Sequence, residues 1–188
     1  TDHVDMMLLH FPPGTFGGGI RGCSSAPACE LVRAQWSALE ELYARGGAKA
    51  IGVSNYCASC LECLRAANDS KQSPMLNQLQ YHAGMGPGPT KGLLGYCASR
   101  NILVQAYAPL GGSASVHPDD PYPLIRNKQL AAIGAKAHKS AVQVALRWVV
   151  QQGLPLATKA DRRDYLAEDI DVFDFALSTA DMQMLADS

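Results

Sequence analysis

The sequence predicts an α/β fold in which parallel strands alternate with helices, arranged as an incomplete TIM (β/α)8 barrel. Short apolar runs alternate with longer amphipathic stretches through most of the 188 residues, a pattern typical of repeated βα units. Each apolar run is followed by a different polar residue. The active site of a barrel is built from several strand ends, whereas an open doubly wound sheet concentrates its chemistry at one switch point. Five strands can also build an open sheet, but no GxGxxG or P-loop motif is present, so we favour a barrel with about five of its units.

The individual elements follow from the apolar periodicity. Strands are predicted over residues 4–9, 50–53, 75–79, 102–106 and 154–157. Helices are predicted over residues 29–45, 58–67, 91–99, 123–138 and 140–153, with a last helix starting at residue 178. Ser140 and Gln143 have the spacing of a capping box at the start of the fifth helix. Trp36, Leu146 and Trp148 lie on apolar helix faces and are predicted core residues.

Composition narrows the range of partners. The chain is 47% hydrophobic and 18% charged with a net charge of −1, which argues against a disordered chain, a membrane protein and a nucleic-acid binder. We expect a single domain over residues 1–188, a small-molecule partner and a cytoplasmic location, because no signal peptide precedes the first strand. The strand begins almost directly after Thr1, so we expect a fragment whose first part lies upstream.

The six cysteines do not resemble the disulfide framework of a small secreted domain. Cys57, Cys60 and Cys63 form a C-x2-C-x2-C run, the opening spacing of some iron–sulfur sites. Such a site needs a fourth cysteine near position 67, but residue 67 is alanine. We therefore expect reduced thiols, with a metal cluster as the alternative.

Six segments in order resemble the aldo-keto reductase family: DMMLLHFP (5–12), ALEELYARGGAKAIGVSNY (38–56), NQLQYH (77–82), VQAYAPLG (104–111), AVQVALRWVVQQG (141–153) and DVFDFALSTADM (171–182). The resemblance implies a TIM barrel that reduces aldehydes or ketones with NADPH. It assigns His10 to the catalytic tetrad, where its imidazole orients the substrate carbonyl. The alternative for His10 is a structural histidine at a strand end.

The resemblance also assigns the cofactor site. It places three residues against the nicotinamide carboxamide: Ser54, Asn55 and Gln78. The carboxamide has one acceptor oxygen and two N–H donors, and side-chain hydroxyl and amide groups can hydrogen-bond both kinds of atom. The alternative is that Ser54 and Asn55 cap the following helix. Tyr107 is placed under the nicotinamide ring, or else is a buried structural tyrosine.

The rest of the cofactor site lies toward the carboxyl end of the chain. Leu110 is assigned to it beside Tyr107, and Lys159 to the 2′-phosphate that distinguishes NADPH from NADH. The glycine-rich loop over residues 111–123 is expected to fold over the pyrophosphate. Beyond Lys159 the family pattern is lost, and Arg162 and Arg163 are candidate substitutes for the usual phosphate ligands, while Asp169 would repel a phosphate. Because Lys159 and the two arginines can still supply positive charge for the 2′-phosphate, we expect NADPH rather than NADH.

The other three members of the tetrad, an aspartate, a tyrosine and a lysine, match no residue of this chain. We accordingly expect the 188 residues alone to be inactive, with the carbonyl-reducing activity belonging to a longer parent. The alternative is a non-catalytic protein of the same fold that binds nicotinamide nucleotide or serves in regulation. The oligomeric state and the particular carbonyl substrate are not indicated by the sequence.

Overall fold

The strands follow one another in the sheet in the same order as in the chain. The computed structural model describes residues 2–14, 28–65, 72–86, 89–111 and 124–187. Its strands are β1 (Val4–Leu9), β2 (Ala48–Ser54), β3 (Leu76–Gln80), β4 (Leu103–Tyr107) and β5 (Leu156–Ala157), in the order β1-β2-β3-β4-β5. A doubly wound sheet would reverse this order at its switch point. The prediction of parallel strands from an incomplete TIM barrel is therefore confirmed.

Seven α-helices are described: α1 (Cys29–Ala44), α2 (Ala58–Arg65), α3 (Pro89–Ala98), α4 (Lys128–Ala135), α5 (Ala141–Val150), α6 (Arg163–Ile170) and α7 (Thr179–Asp187). The helix predicted over 123–138 is a 3-10 turn, Leu124–Arg126, followed by α4. Asn127 divides the two because its side chain accepts hydrogen bonds from the backbone N–H groups of Gln129 and Leu130, an N-cap that starts a new helix. Helix α6 was not predicted, since it buries none of its residues and so lacks an apolar stripe facing a core.

The chain divides into two compact units, residues 1–79 with 89–105, and residues 80–88 with 106–188. In the first unit β1 and β2 pair in parallel, with Leu9 opposite Val53. Apolar side chains from β2, β3, α1 and α2 form its core: Val32, Trp36, Ile51, Leu61 and Leu79. The prediction that Trp36 is a core residue is confirmed. A single domain over residues 1–188 stays a prediction.

The second unit is built around α5. Ser140 accepts a hydrogen bond from the Gln143 N–H, and the Gln143 side chain accepts one from the Ser140 N–H, so the predicted capping box is confirmed. Leu146 and Trp148 are buried as predicted. The indole of Trp148 donates to the Met182 carbonyl oxygen at 3.1 Å, which joins α5 to α7.

The prediction of reduced thiols is wrong for part of the cysteine set. Cys29 at the start of α1 and Cys63 in α2 form a disulfide, and Cys57 is also disulfide-bonded. Two cysteines far apart in the sequence meet because α1 packs against α2. The prediction holds for Cys60 and Cys97, which are buried free thiols.

The cofactor flap predicted over 111–123 lies almost wholly outside the described residues. So does a second glycine-rich stretch, over 14–22, whose composition is typical of a loop. Within the described part of the chain, no helix has the length and apolar character needed to cross a membrane. The cytoplasmic location stays a prediction.

Candidate functional site

Three predicted site residues of the first unit, His10, Ser54 and Asn55, lie at the carboxyl ends of β1 and β2, and a fourth, Gln78, lies beside them in β3. His10 directly follows β1, Ser54 is the last residue of β2, and Gln78 is the register partner of Ser54 in β3. Parallel pairing brings these positions to one edge of the sheet. The structure therefore brings His10, Ser54, Asn55 and Gln78 together.

Asn55 links the three strand ends. Its φ of 62° lies in the left-handed region, which asparagine enters more readily than most residues. The Asn55 N–H donates to the Gln78 carbonyl oxygen at 2.9 Å. Its side-chain Nδ2 donates to the His10 carbonyl oxygen and to Ser54 Oγ, both at 3.1 Å. Because Asn55 is only 1% exposed, losing these bonds would leave buried polar groups without partners.

Ser54 and Gln78 complete this arrangement. The Ser54 hydroxyl donates to the Gln78 carbonyl oxygen at 2.9 Å. The Gln78 side chain donates through Nε2 to Oε1 of Gln105 in β4 at 2.6 Å, so one end of its amide is held. The opposite end, Oε1, has no hydrogen-bond partner among the described residues. These bonds of Ser54 run to the strand ends and not to the first turn of α2.

His10 is exposed, in contrast to the buried Ser54 and Asn55. Its ring lies 4.2 Å from the ring of Phe11, centroid to centroid. The His10 backbone is held by Asn55 through the carbonyl oxygen, while its side chain faces solvent. An exposed imidazole on a fixed backbone can hydrogen-bond a ligand at this edge of the sheet.

Asn77 supports the site and was not singled out by sequence reasoning. It is fully buried, and its Nδ2 donates to the Tyr56 carbonyl oxygen at 2.8 Å while its Oδ1 accepts from the Tyr56 N–H at 3.4 Å. Successive strand residues point to opposite faces, so Asn77 faces away from Gln78 and toward the helices. A buried amide beside a predicted site residue was the signal that could have identified it.

Burial raises the pKa of the hydroxyl groups of Tyr56 in the first unit and Tyr107 in the second. The pKa of Tyr56, which directly follows Asn55, is raised by burial first and by nearby Cys60 second. Burial also raises the pKa of Tyr107, which is half-buried. Both are therefore neutral phenols at physiological pH.

The remaining predicted residues belong to the second unit. Tyr107 ends β4 opposite Ala157 of β5, and its carbonyl oxygen accepts from the Tyr81 N–H at 3.3 Å. Leu110 is half-buried, and its carbonyl oxygen accepts from the Leu124 N–H at 3.1 Å. Lys159 lies two residues beyond β5 and is exposed. The cofactor assignments of these three residues stay predictions.

Some of the charged residues beyond Lys159 form ion pairs or hydrogen bonds with one another. Arg162 forms an ion pair with Asp164 at 2.5 Å and lies over the Tyr165 ring at 4.7 Å. The hydrogen bond from Arg162 holds the pKa of Asp164 below its ordinary value. Burial, with Glu168 nearby, raises the pKa of Asp169. Arg162 is thus less available to a phosphate than its charge suggests.

His82 has contacts that account for its burial. It is 3% exposed, and its Nδ1 lies 2.7 Å from the Ala83 carbonyl oxygen. Its backbone N–H donates to the sulfur of Met85 at 3.4 Å. These contacts hold His82 in place within the second unit.

The polar groups of the first unit fit a carboxamide ligand such as the nicotinamide of a dinucleotide. A carboxamide offers one acceptor oxygen and an NH2 group. The Nδ2 of Asn55 and the hydroxyl proton of Ser54 are used within the protein, so neither group donates to a ligand. Gln78 Oε1 adds an acceptor, and the imidazole of His10 offers a polar group outside the sheet edge.

Comparison with known proteins defines the class of protein. The model of the Aldo/keto reductase family matches residues 1–188. Glyoxal reductase of Bacillus subtilis is 32% identical over 184 residues, which cover 98% of this chain and 56% of that protein. Dihydrodiol dehydrogenase 3 of Bos taurus is 33% identical over 193 residues, or 98% of this chain and 58% of the bovine protein.

A solved structure agrees with these sequence relatives. MGS-M4, an aldo-keto reductase enzyme from a Medee basin deep-sea metagenome library, superimposes with a TM-score of 0.77 at 29% identity, covering 98% of this chain and 59% of that structure. The chain belongs to the aldo-keto reductase family. It spans somewhat more than half the length of the relatives it matches.

Proposed function

We propose that the whole protein is an NADPH-dependent reductase that converts small aldehydes or ketones to alcohols. The arrangement that supports the proposal is the set of strand ends joined by Asn55, with His10 exposed beside them. In the reaction NADPH supplies a hydride to the carbonyl carbon, and a proton is added to the carbonyl oxygen. Relatives named for glyoxal reduction and for NADPH-dependent codeinone reduction support the reaction class.

His10 orients the substrate in this proposal. An N–H of its imidazole donates to the carbonyl oxygen, which gains negative charge as the hydride arrives. A donor aimed at developing charge stabilises the transition state more than the ground state. Asn55 acts through His10 as a positioning residue, because its bond to the His10 carbonyl oxygen fixes the backbone that carries the imidazole.

Ser54, Asn55 and Gln78 hold the nicotinamide carboxamide, and Tyr107 packs against its ring. Gln78 Oε1 accepts from the carboxamide NH2 group in this proposal, because the side-chain donors of Ser54 and Asn55 are already used. Tyr107 is a neutral phenol with a raised pKa, which suits stacking against an uncharged ring. Lys159 supplies the cation for the 2′-phosphate, and its exposure leaves it accessible to such a ligand.

The test is the consumption of NADPH by the whole gene product with a panel of small aldehydes and ketones. His10→Gln is expected to lower kcat/KM by about 100-fold, the magnitude typical of losing one aimed hydrogen-bond donor. His3→Gln is the matched control, because His3 is also near β1 but lies before its first residue, and it should leave kcat/KM unchanged. Equal effects of the two variants would contradict the assignment of His10.

The cofactor assignment has its own control pair. Lys159→Met should weaken NADPH binding about tenfold and leave NADH binding unchanged, whereas Lys128→Met, also exposed, should affect neither. NADPH binding without reduction of any carbonyl compound would refute the reductase and favour a non-catalytic nucleotide-binding protein. We expect the 188-residue chain alone to reduce nothing, because the proton-donating tyrosine implied by the family resemblance has no match in it.

A further inference from the structure

The first unit contains a polar cavity at the amino-terminal ends of β3 and β4, whereas His10, Ser54 and Asn55 of the same unit lie at the carboxyl ends of β1 and β2. Its volume is about 430 Å³, and it is lined by Leu61, Leu64, Arg65, Ser73, Pro74, Ser99, Arg100 and Ile102. These residues come from the end of α2 and from the segments that lead into β3 and β4. The five-residue strand β3 separates it from the opposite sheet edge by about 16 Å.

Arg100 is held in place at the wall of this cavity. Its guanidinium lies 3.6 Å from the centroid of the Tyr96 ring. One terminal nitrogen donates to Ser99 Oγ at 2.9 Å, and the other to Glu62 Oε1 at 2.9 Å. A guanidinium fixed in this way loses little conformational entropy when it binds an anion.

The Nε–H of Arg100 is buried and has no hydrogen-bond partner among the described residues. A buried donor on a charged group is costly when it is left unsatisfied. The two terminal nitrogens of this guanidinium have hydrogen-bond acceptors, so Nε is its one nitrogen without an acceptor among the described residues.

The charges around the cavity favour an anion. Glu62 is the acidic group bound to the two arginines, since Arg65 also contacts its carboxylate at 3.3 Å. Tyr96 donates its hydroxyl to the same carboxylate. Burial and this bond raise the pKa of Tyr96 to about 12, so it stays neutral. Two guanidinium groups therefore face one carboxylate, so this group of three side chains has a net charge of about +1.

We propose that this cavity binds the phosphate group of a small phosphomonoester. Arg65 and Arg100 bind the phosphate oxygens, and the hydroxyl groups of Ser73 and Ser99 lie in the same lining. The cavity is larger than an inorganic phosphate, and apolar side chains form part of it, so an organic stem has a surface to contact. The site is independent of the proposed reductase reaction, because it shares no residue with it.

The test is a titration of the 188-residue chain, followed by the backbone amide resonances, with inorganic phosphate and with glycerol 3-phosphate at constant ionic strength. Saturable shifts are expected at Ser73, Ser99 and Arg100, with glycerol 3-phosphate binding more tightly. Shifts that do not saturate would overturn the proposal. Equal affinity for the two probes would overturn the assignment of a phosphomonoester.

Three variants test the assignment of charge. Arg65→Gln should weaken binding about tenfold, the effect of one charge-assisted hydrogen bond. Arg45→Gln, which removes another exposed arginine, at the end of α1, should leave binding unchanged. Glu62→Gln should tighten binding several-fold because it removes the competing carboxylate. Since a damaged fold would weaken binding, tighter binding by Glu62→Gln supports the proposal, and weaker binding by it counts against the proposal.

Discussion

The disulfide between Cys29 and Cys63 is expected to contribute about 4 kcal/mol to the free energy of unfolding. The two residues are 34 positions apart, and closing a loop of that length restricts the unfolded chain by this amount in the chain-entropy model. The Ala28 N-cap of α1 makes no side-chain hydrogen bond to the helix, so the bond to α2 is also what secures its first turn. Cys29→Ala should therefore destabilise the protein far more than the loss of a half-exposed side chain would.

The assay is urea unfolding of the single variants Cys29→Ala and Cys63→Ala and of the double variant. Once the bond is lost, the second substitution costs only packing, so the double variant should be little worse than either single one. Cys97→Ala is the control for removing a buried free thiol. A loss below about 1 kcal/mol for Cys29→Ala, or the absence of a Cys29–Cys63 cross-linked peptide in a non-reducing digest, would refute the reasoning.

Three further outcomes are expected. Asn77→Ala should cost about 2–4 kcal/mol in urea unfolding, because it leaves the buried N–H and C=O of Tyr56 without partners; an effect below 1 kcal/mol would show that these groups find water. Gly52→Ala should destabilise strongly or prevent folding, since its Cβ would stand 2.5 Å from a carbonyl oxygen of β3; an unchanged melting temperature would contradict that close approach. The hydrogen bond from Lys139 holds the pKa of Asp171 below its ordinary 3.8, so the stability it contributes is present above about pH 4 and lost as the pH falls through the lowered value; Asp171→Asn should flatten this acid slope, and an unchanged slope would count against the pair.

Strands and amphipathic helices were predictable where apolar residues form a continuous run or recur with a helical period. The six-residue run of β1 and the capping box at Ser140 are local signals, and both were located correctly. Helix α6 was missed because its apolar side chains are exposed: Leu166 is 56% and Ile170 71% exposed. A helix without a buried face has no periodic pattern to detect.

Contacts between distant residues were not predictable in the same way. The closely spaced cysteines Cys57, Cys60 and Cys63 were expected to be reduced thiols, with a metal cluster as the alternative, whereas Cys63 is bonded to Cys29 of α1, which helix packing brings near it. The strand-end residues of the candidate site were identified through family resemblance. The way Asn55 joins them depends on a left-handed backbone conformation, which no spacing of residue types reveals.

That conformation restricts which amino acids natural variation can place at position 55. Glycine would keep the backbone angle but lose both side-chain bonds to the neighbouring strand ends. Aspartate would also tolerate the angle, yet its ionised carboxylate cannot donate to the His10 carbonyl oxygen and would repel it. Larger or β-branched residues are strained at a φ of 62°. Position 55 therefore has no neutral replacement, and descendants of this gene should retain asparagine there even where their substrates diverge.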